Sequence, residues 1–242
     1  VPMDIATMAD VPSGTGLGSS GTFSVALLHA LHIVKGERPD PDQLADEAAH
    51  IEINLLGRPV GKQDHYAAAF GGLNIIRFMP TDQVIVSPVE SSKTMAKEIF
   101  SYLMLVYTGQ SRHSGTVLTE QNENVGTRLD QLLDIRGHAL QLEEMVKHKF
   151  DLNLFGSVLH STWIRKRQLA KAVSSAPIDH WYDKALDAGA LGGKICGAGG
   201  GGFLLLVVDP SRRQAVRSVL KNLDELTIGY EPNGSHSLVP IF

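Results

Sequence analysis

The run Pro12-Ser13-Gly14-Thr15-Gly16-Leu17-Gly18-Ser19-Ser20-Gly21 constrains this chain most, because a glycine-rich turn there leads straight into an apolar, helix-periodic segment. Glycine lets the backbone take positive φ and lets its amides approach an anion with no Cβ in the way. A following helix adds unpaired N–H groups and the positive end of its dipole. Phe23, Ala26, Leu27, Ala30, Leu31 and Val34 recur at helical spacing and read as the stripe that fixes this helix on a core. The expectation is a phosphate cradle. The bland alternative is a Gly/Ser turn whose Ser19 or Ser20 caps the helix. No Lys-Ser or Lys-Thr pair follows the last glycine, so the loop is not a Walker A motif. Gly14-Thr15-Gly16-Leu17-Gly18 also lacks the spacing and the βαβ setting of a dinucleotide fingerprint.

Bulk properties exclude several classes. With 242 residues, 43% hydrophobic and 20% charged, the chain reads as a folded globular protein with one large or two small domains. A net charge of -4 gives no global basic field, which argues against nucleic-acid binding as the main task. Arg165-Lys166-Arg167 reads as a solvated helix face. The single Cys196 excludes an internal disulfide and suits a reducing compartment. The longest apolar run, Phe203 to Val208, has strand length, and no signal peptide is visible, so no membrane partner and a cytoplasmic location are expected. The chain opens Val1-Pro2-Met3, which reads as a fragment or a chain missing its start.

The pattern predicts a strand over 3–11, the loop, and a helix to about Val34. A second helix starts near Pro41, with Asp40 as N-cap and Gln43 as capping-box partner; Leu44, Ala48, Ile51 and Leu55 form its buried stripe and Gly57 ends it. A short helix over 62–70 stops at Gly71-Gly72, followed by strands over 73–78, 84–86 and 103–107. Helices are then expected over 125–150, 154–166 and 179–188, and a strand over 203–208. A helix over 211–223 and strands over 227–230 and 237–241 close the chain. A boundary near 110–114 would separate a first domain, 1–110, from a second, 111–242.

Three further elements carry chemistry. Gly197-Ala198-Gly199-Gly200-Gly201-Gly202 makes sense only where backbone passes very close to a ligand or another loop, the alternative being a tight bend between packed elements. In Gly61-Lys62-Gln63-Asp64-His65-Tyr66-Ala67-Ala68-Ala69-Phe70-Gly71-Gly72, Asp64 is either a helix cap or a site carboxylate. Glu52 follows Ile51 on the second helix and faces either the core or solvent.

Together these pieces resemble the GHMP sugar and small-molecule kinases. Pro12-x-x-x-Gly16-Leu17-Gly18-Ser19-Ser20 looks like that family's ATP-phosphate loop, and 197–202 like its C-terminal glycine motif. Within the family, Gly61-Lys62-Gln63-Asp64 with Ala-Ala-Ala-Phe-Gly-Gly, and the run over 188–202, are most similar to the bacterial D-glycero-D-manno-heptose 7-phosphate kinases, with the kinase half of fucokinase a close neighbour. The family's basic, glycine-rich first motif has no counterpart in the chain. The resemblance implies an α+β GHMP kinase fold, with an N-terminal ribosomal-S5-like α/β domain and a C-terminal helix-and-sheet domain. It implies ATP and Mg²⁺ as cofactors and a sugar or sugar phosphate as partner, and it is compatible with a homodimer.

Carried onto this sequence, the resemblance places Pro12, Gly14, Gly16, Leu17, Gly18, Ser19, Ser20, Gly199 and Gly200 at the nucleotide and Ser20 and Glu52 at Mg²⁺. Asp64 then takes the proton of the attacking hydroxyl. The implied reaction is transfer of the γ-phosphate to a hydroxyl, the anomeric one, of heptose 7-phosphate. The alternatives are a fucokinase or galactokinase-like enzyme, or a non-catalytic sugar or ATP sensor. Lys62 reads as phosphate steering or solvated, Cys196 as inert packing, and Arg112 as either a substrate-phosphate contact or a surface residue. His29 and His32 lie one helical turn apart, but a zinc reading is weak.

Overall fold

A side-chain cap at Asp40 and a glycine stop at Gly71 mark helix boundaries in the first half of the computed structural model, which describes residues 2–89, 92–110 and 114–238. Helix α1 spans Ser19–Val34, α2 Pro41–Ala49 and α3 Gln63–Phe70. Asp40 accepts a hydrogen bond from the Gln43 amide at 2.8 Å with Pro41 in the first turn, as the sequence predicts. Helix α3 ends at Gly71, whose φ of 61° suits glycine. The three helices share a core of Val25, Leu44, Ala45, Ala48, Tyr66 and Ala69. It is closed by Ile76, Val84 and Val86 from an antiparallel hairpin of β1, Asn74–Phe78, and β2, Val84–Pro88.

Two expectations about the start are corrected. Residues 3–11 do not form a strand: no described strand runs beside them to complete a ladder, and Met3, Ile5 and Met8 are exposed. The buried line of α1 is Gly21 and Val25, with Leu28 beside them, not the predicted stripe. Phe23 is 49% and Val34 57% exposed. Because α1 is apolar on almost every side, periodicity alone could not phase it.

The second half builds on an antiparallel sheet ordered β4-β5-β3-β6, formed by Ala190–Ile195, Phe203–Val208, Leu103–Tyr107 and Asp224–Leu226 in that order. Helices α4 (Ser92–Tyr102), α5 (Ser114–Asn124), α6 (Leu129–His148), α7 (Leu152–Arg167), α8 (Ala176–Asp187) and α9 (Arg213–Val219) complete it. Trp163, Ile178, Tyr182, Leu204 and Leu206 fill the core between α7, α8 and the sheet. Helix α7 lies on β4 so closely that a Cβ on Gly192 would run into the Gly156 carbonyl and one on Gly156 into Leu191. That contact fixes the end of α7 relative to the strand.

Sequence pattern missed α4, α5 and β4, whose Gly192-Gly193 interrupts the apolar alternation. The helix expected over 211–223 is a 3₁₀ turn, Pro210–Arg212, followed by the shorter α9. The strand expected over 227–230 is irregular, and the ladder is made instead by the polar Asp224–Leu226. Ser237 and Leu238 carry no strand, and the rest of the expected 237–241 strand lies outside the described residues. The expected first domain, 1–110, also contributes β3 to the sheet of the expected second.

Candidate active site

The first glycine loop alternates its backbone sense: Gly14, Gly16 and Gly18 have φ of 76°, 82° and 70°. Thr15, almost fully buried, donates its hydroxyl to the Pro12 carbonyl at 2.9 Å and locks the turn. Gly18 enters α1 in left-handed conformation with no side-chain cap, so the Ser19 and Ser20 capping alternative fails. Among the described residues, the amides of Gly16, Leu17 and Gly18 have no hydrogen-bond acceptor. They join the unpaired first-turn amides of α1 in one cluster of donors, which is what a phosphate requires.

Glu52 answers the question the sequence left open. After α2 the helix loosens into a π-helical turn, His50–Leu55, whose extra residue per turn shifts the facing so that Glu52 is 2% and Leu55 67% exposed. Leu55 therefore leaves the predicted buried stripe. The Ser20 hydroxyl donates to Glu52 Oε1, and His65 Nε2 donates to Oε2 at 2.9 Å. Arg58 Nη1 lies 3.1 Å from both the Ser20 hydroxyl and Glu52 Oε1. Burial pushes the Glu52 carboxyl up, but the hydrogen bonds from Ser20, His65 and Arg58 outweigh it and hold the group below the usual carboxylate range. The Ser20–Glu52 oxygen pair fits a magnesium ion, which needs one or two protein oxygens when phosphate and water supply the rest.

Asp64 sits over the entrance of α1. A Cβ on Gly18 would stand 3.1 Å from its Cγ, and one on Gly21 3.1 Å from its Cβ. Only glycines let the carboxylate approach the helix N-terminus this closely. Burial raises the Asp64 carboxyl above the usual range; Glu52 adds to this, while His65, Lys194 and Lys166 pull the other way. Sequence reading put Lys166 on a solvated face; in the structure the side chain is half-buried and its ammonium donates to the Gly197 carbonyl of the second glycine loop. Burial and the charge of Lys194 lower its pKa to about 7.

The two glycine loops meet. A Cβ on Gly16 would stand 2.5 Å from the Cys196 carbonyl oxygen, and the Phe203 amide donates to the Thr15 carbonyl at 3.2 Å. Gly199 and Gly200, expected at the nucleotide, turn away from this junction. The Gly200 amide donates to the Val173 carbonyl at 2.7 Å, and a Cβ on Gly199 would stand 2.7 Å from the same oxygen. Burial pushes the Cys196 thiol up, consistent with inert packing. Lys62 faces Asp82 on the hairpin at 3.5 Å rather than the cleft. His29 pairs with Ser235, and His32 with Glu37 and Glu47. Among the described residues, no cluster of three or more His, Cys, Asp or Glu side chains could hold a metal ion, and no helix is long and apolar enough to cross a membrane. Arg112 lies outside the described residues.

Residues 1–72 match the family model of the GHMP kinase N-terminal domain, and residues 141–225 that of the GHMP kinase C-terminal domain. The chain belongs to the GHMP kinases. It is similar to the D-glycero-alpha-D-manno-heptose 7-phosphate kinase of Campylobacter jejuni, with 32% identity over 89% of this chain and 64% of that protein. The L-fucokinase/L-fucose-1-P guanylyltransferase of Bacteroides fragilis is 26% identical over 90% of this chain and 23% of its own length. A solved D-glycero-D-manno-heptose 1-phosphate kinase from Bacteroides thetaiotaomicron superposes with a TM-score of 0.74 at 28% identity, covering 94% of this chain and 64% of that one. The chain thus spans less than two thirds of the length of the heptose kinases it matches. The expected GHMP fold is borne out, and the site draws on both matched regions. The cradle, Glu52 and Asp64 come from the first; Lys166, Lys194 and the second glycine loop come from the second.

Proposed function

We propose that this GHMP chain carries the phosphoryl-transfer site of an ATP-dependent kinase that phosphorylates D-glycero-D-manno-heptose 7-phosphate at its anomeric hydroxyl, in the cytoplasm. The observation that carries the reading is the Asp64 carboxyl held against Gly18, beside a row of amides with no acceptor. In phosphoryl transfer the protein chiefly positions reactants and neutralises charge. The free amides of Gly16, Leu17 and Gly18, with the positive end of α1, would bind the β- and γ-phosphate oxygens. Asp64 takes the proton of the sugar hydroxyl as its oxygen bonds to the γ-phosphorus, and the bond to the β-phosphate oxygen breaks to release ADP. A carboxyl raised by burial is a better base than an ordinary aspartate, because its affinity for that proton is higher. A magnesium ion held by Ser20 and Glu52 would neutralise phosphate charge. His65 and Arg58 hold the Glu52 carboxylate in place.

The heptose 7-phosphate rests on the name of the Campylobacter relative; the Bacteroides thetaiotaomicron one is named for the same heptose carrying its phosphate at position 1. ADP release from Mg-ATP with heptose 7-phosphate, fucose, galactose and mannose tests it, with the product's phosphate position read by NMR. Turnover on the heptose phosphate giving a 1,7-bisphosphate is the expected result. Turnover only on another sugar would replace the substrate, and no turnover with any sugar would remove the kinase reading.

A further inference from the structure

Lys166 and Lys194 lie near the junction of the two glycine loops, and among the described residues neither pairs with a carboxylate. Lys166 reaches in from the last turn of α7 and spends one donor on the Gly197 carbonyl. Lys194 comes from β4, one residue before the last of that strand, and among the described residues its ammonium has neither a hydrogen-bond partner nor an ion-pair partner. The charged groups acting on Lys166 come from three elements: Lys194 on β4, the Cys196 thiol in the second loop, and Asp64 on α3. Asp64 feels both lysines in return. Two ammonium groups held near each other disfavour each other's charged form, and an anion bound between them favours both. Asp64, whose charge acts on Lys166, forms no ion pair with either lysine among the described residues.

We propose that Lys166 and Lys194 form a phosphoryl-binding clamp on the C-terminal side of the cleft, facing the Gly16–Gly18 amides across the space in front of Asp64. Its ligand is a phosphate dianion, bound by two ammonium donors. The dianion has two sources, the terminal phosphate of the nucleotide or a phosphate already carried by the sugar. The choice of source rests on the kinase reading above; the existence of the clamp does not. Lys166, with a pKa of about 7, is only partly charged when the site is empty. Binding a dianion raises that pKa, so phosphate binding near neutral pH takes up a proton.

The test is calorimetric titration of wild type, Lys166→Met, Lys194→Gln and Lys194→Arg with inorganic phosphate, Mg-ADP, Mg-AMP-PNP, mannose and mannose 6-phosphate, repeated in buffers of different ionisation enthalpy. A charged hydrogen bond lost in a desolvated site weakens phosphate binding about tenfold or more, so Lys166→Met and Lys194→Gln should both show this and Lys194→Arg should recover it. Beside the protons exchanged by the phosphate itself, Lys166→Met should take up fewer protons on binding than wild type, the difference being the share that Lys166 accepts. Loss of the AMP-PNP preference over ADP assigns the clamp to the nucleotide, whereas loss of the mannose 6-phosphate preference over mannose assigns it to the sugar phosphate. Should Lys166→Met fail to fold, Lys194→Gln and its arginine rescue carry the test alone. Wild-type affinities for every phosphate probe in folded Lys194→Gln would overturn the clamp. Intact phosphate binding without sugar turnover would leave the clamp standing and remove only the kinase reading.

Discussion

The two glycine loops look alike in sequence and hold their backbone amides differently. In the first, the Gly16, Leu17 and Gly18 amides have no acceptor among the described residues, and the backbone rises to an uncapped helix N-terminus. In the second, the amides of Gly200 and Gly202 are spent on the carbonyls of Val173 and Gln110, while those of Ala198, Gly199 and Gly201 have no acceptor among the described residues. Glycine permits close approach in both. What separates a binding loop from a packing loop is where the amides point, and that is decided by the neighbouring elements rather than by glycine content.

Several substitutions would break or sharpen this contrast. The largest effect belongs to the carboxylate beside the first loop: Asp64→Asn should lower turnover by about 10²–10⁴-fold, the usual contribution of a positioned base, while Mg-ATP affinity changes little. Steady-state kinetics beside nucleotide titration separates the two.

Next come the loops themselves. Gly16→Ala forces φ of +82° on alanine and sets its Cβ against the Cys196 carbonyl, at a cost of about 1–3 kcal/mol. Melting temperature and Mg-ATP affinity should fall together. Gly199→Ala meets similar strain, with φ of +107° and the Val173 carbonyl 2.7 Å away, so its melting temperature should fall comparably. Its nucleotide affinity, measured on folded protein, should not change. Equal loss of affinity in both variants would erase the distinction between the loops.

How much of this was legible in the sequence follows the same division. The glycine turn and the helix after it could be read because each depends on neighbours within a few residues, whereas local pattern left Asp64 open between a helix cap and a site carboxylate, and only the family resemblance chose between them. The inward turn of Glu52 could not, since it depends on the π-helical turn His50–Leu55, which leaves no mark in an apolar alternation. Nor could the place of Lys166. Three consecutive basic residues look solvated until α7 is laid on β4 through Gly156 and Gly192, and β4 itself is hidden by its central glycines. Local pattern also misphased α1, because a helix apolar all round offers no face to choose.

A smaller effect concerns pH. The folded-state pKa of Asp64 is raised above its unfolded value, so ionising it opposes folding. Stability from its neutral form is fully present below the ordinary aspartate value and is lost as pH rises through the raised one. Asp64→Asn should therefore melt at a higher temperature than wild type at neutral pH, with the difference closing in acid; thermal melts across pH read it. The smallest effect is expected at Gly36, where φ is +78° and nothing lies within 4 Å. Gly36→Ala should cost only the left-handed backbone term, about 1–2 kcal/mol, and leave nucleotide binding untouched.

The most direct test is to follow the backbone amide resonances of isotope-labelled protein while Mg-AMP-PNP is added. The account predicts large shifts for Gly16, Leu17 and Gly18 as their free amides gain phosphate acceptors, with Gly200 and Gly202 nearly still because their amides stay bound to Val173 and Gln110. Large shifts at Gly200 and Gly202 with an unmoved Gly16–Gly18 segment would contradict it.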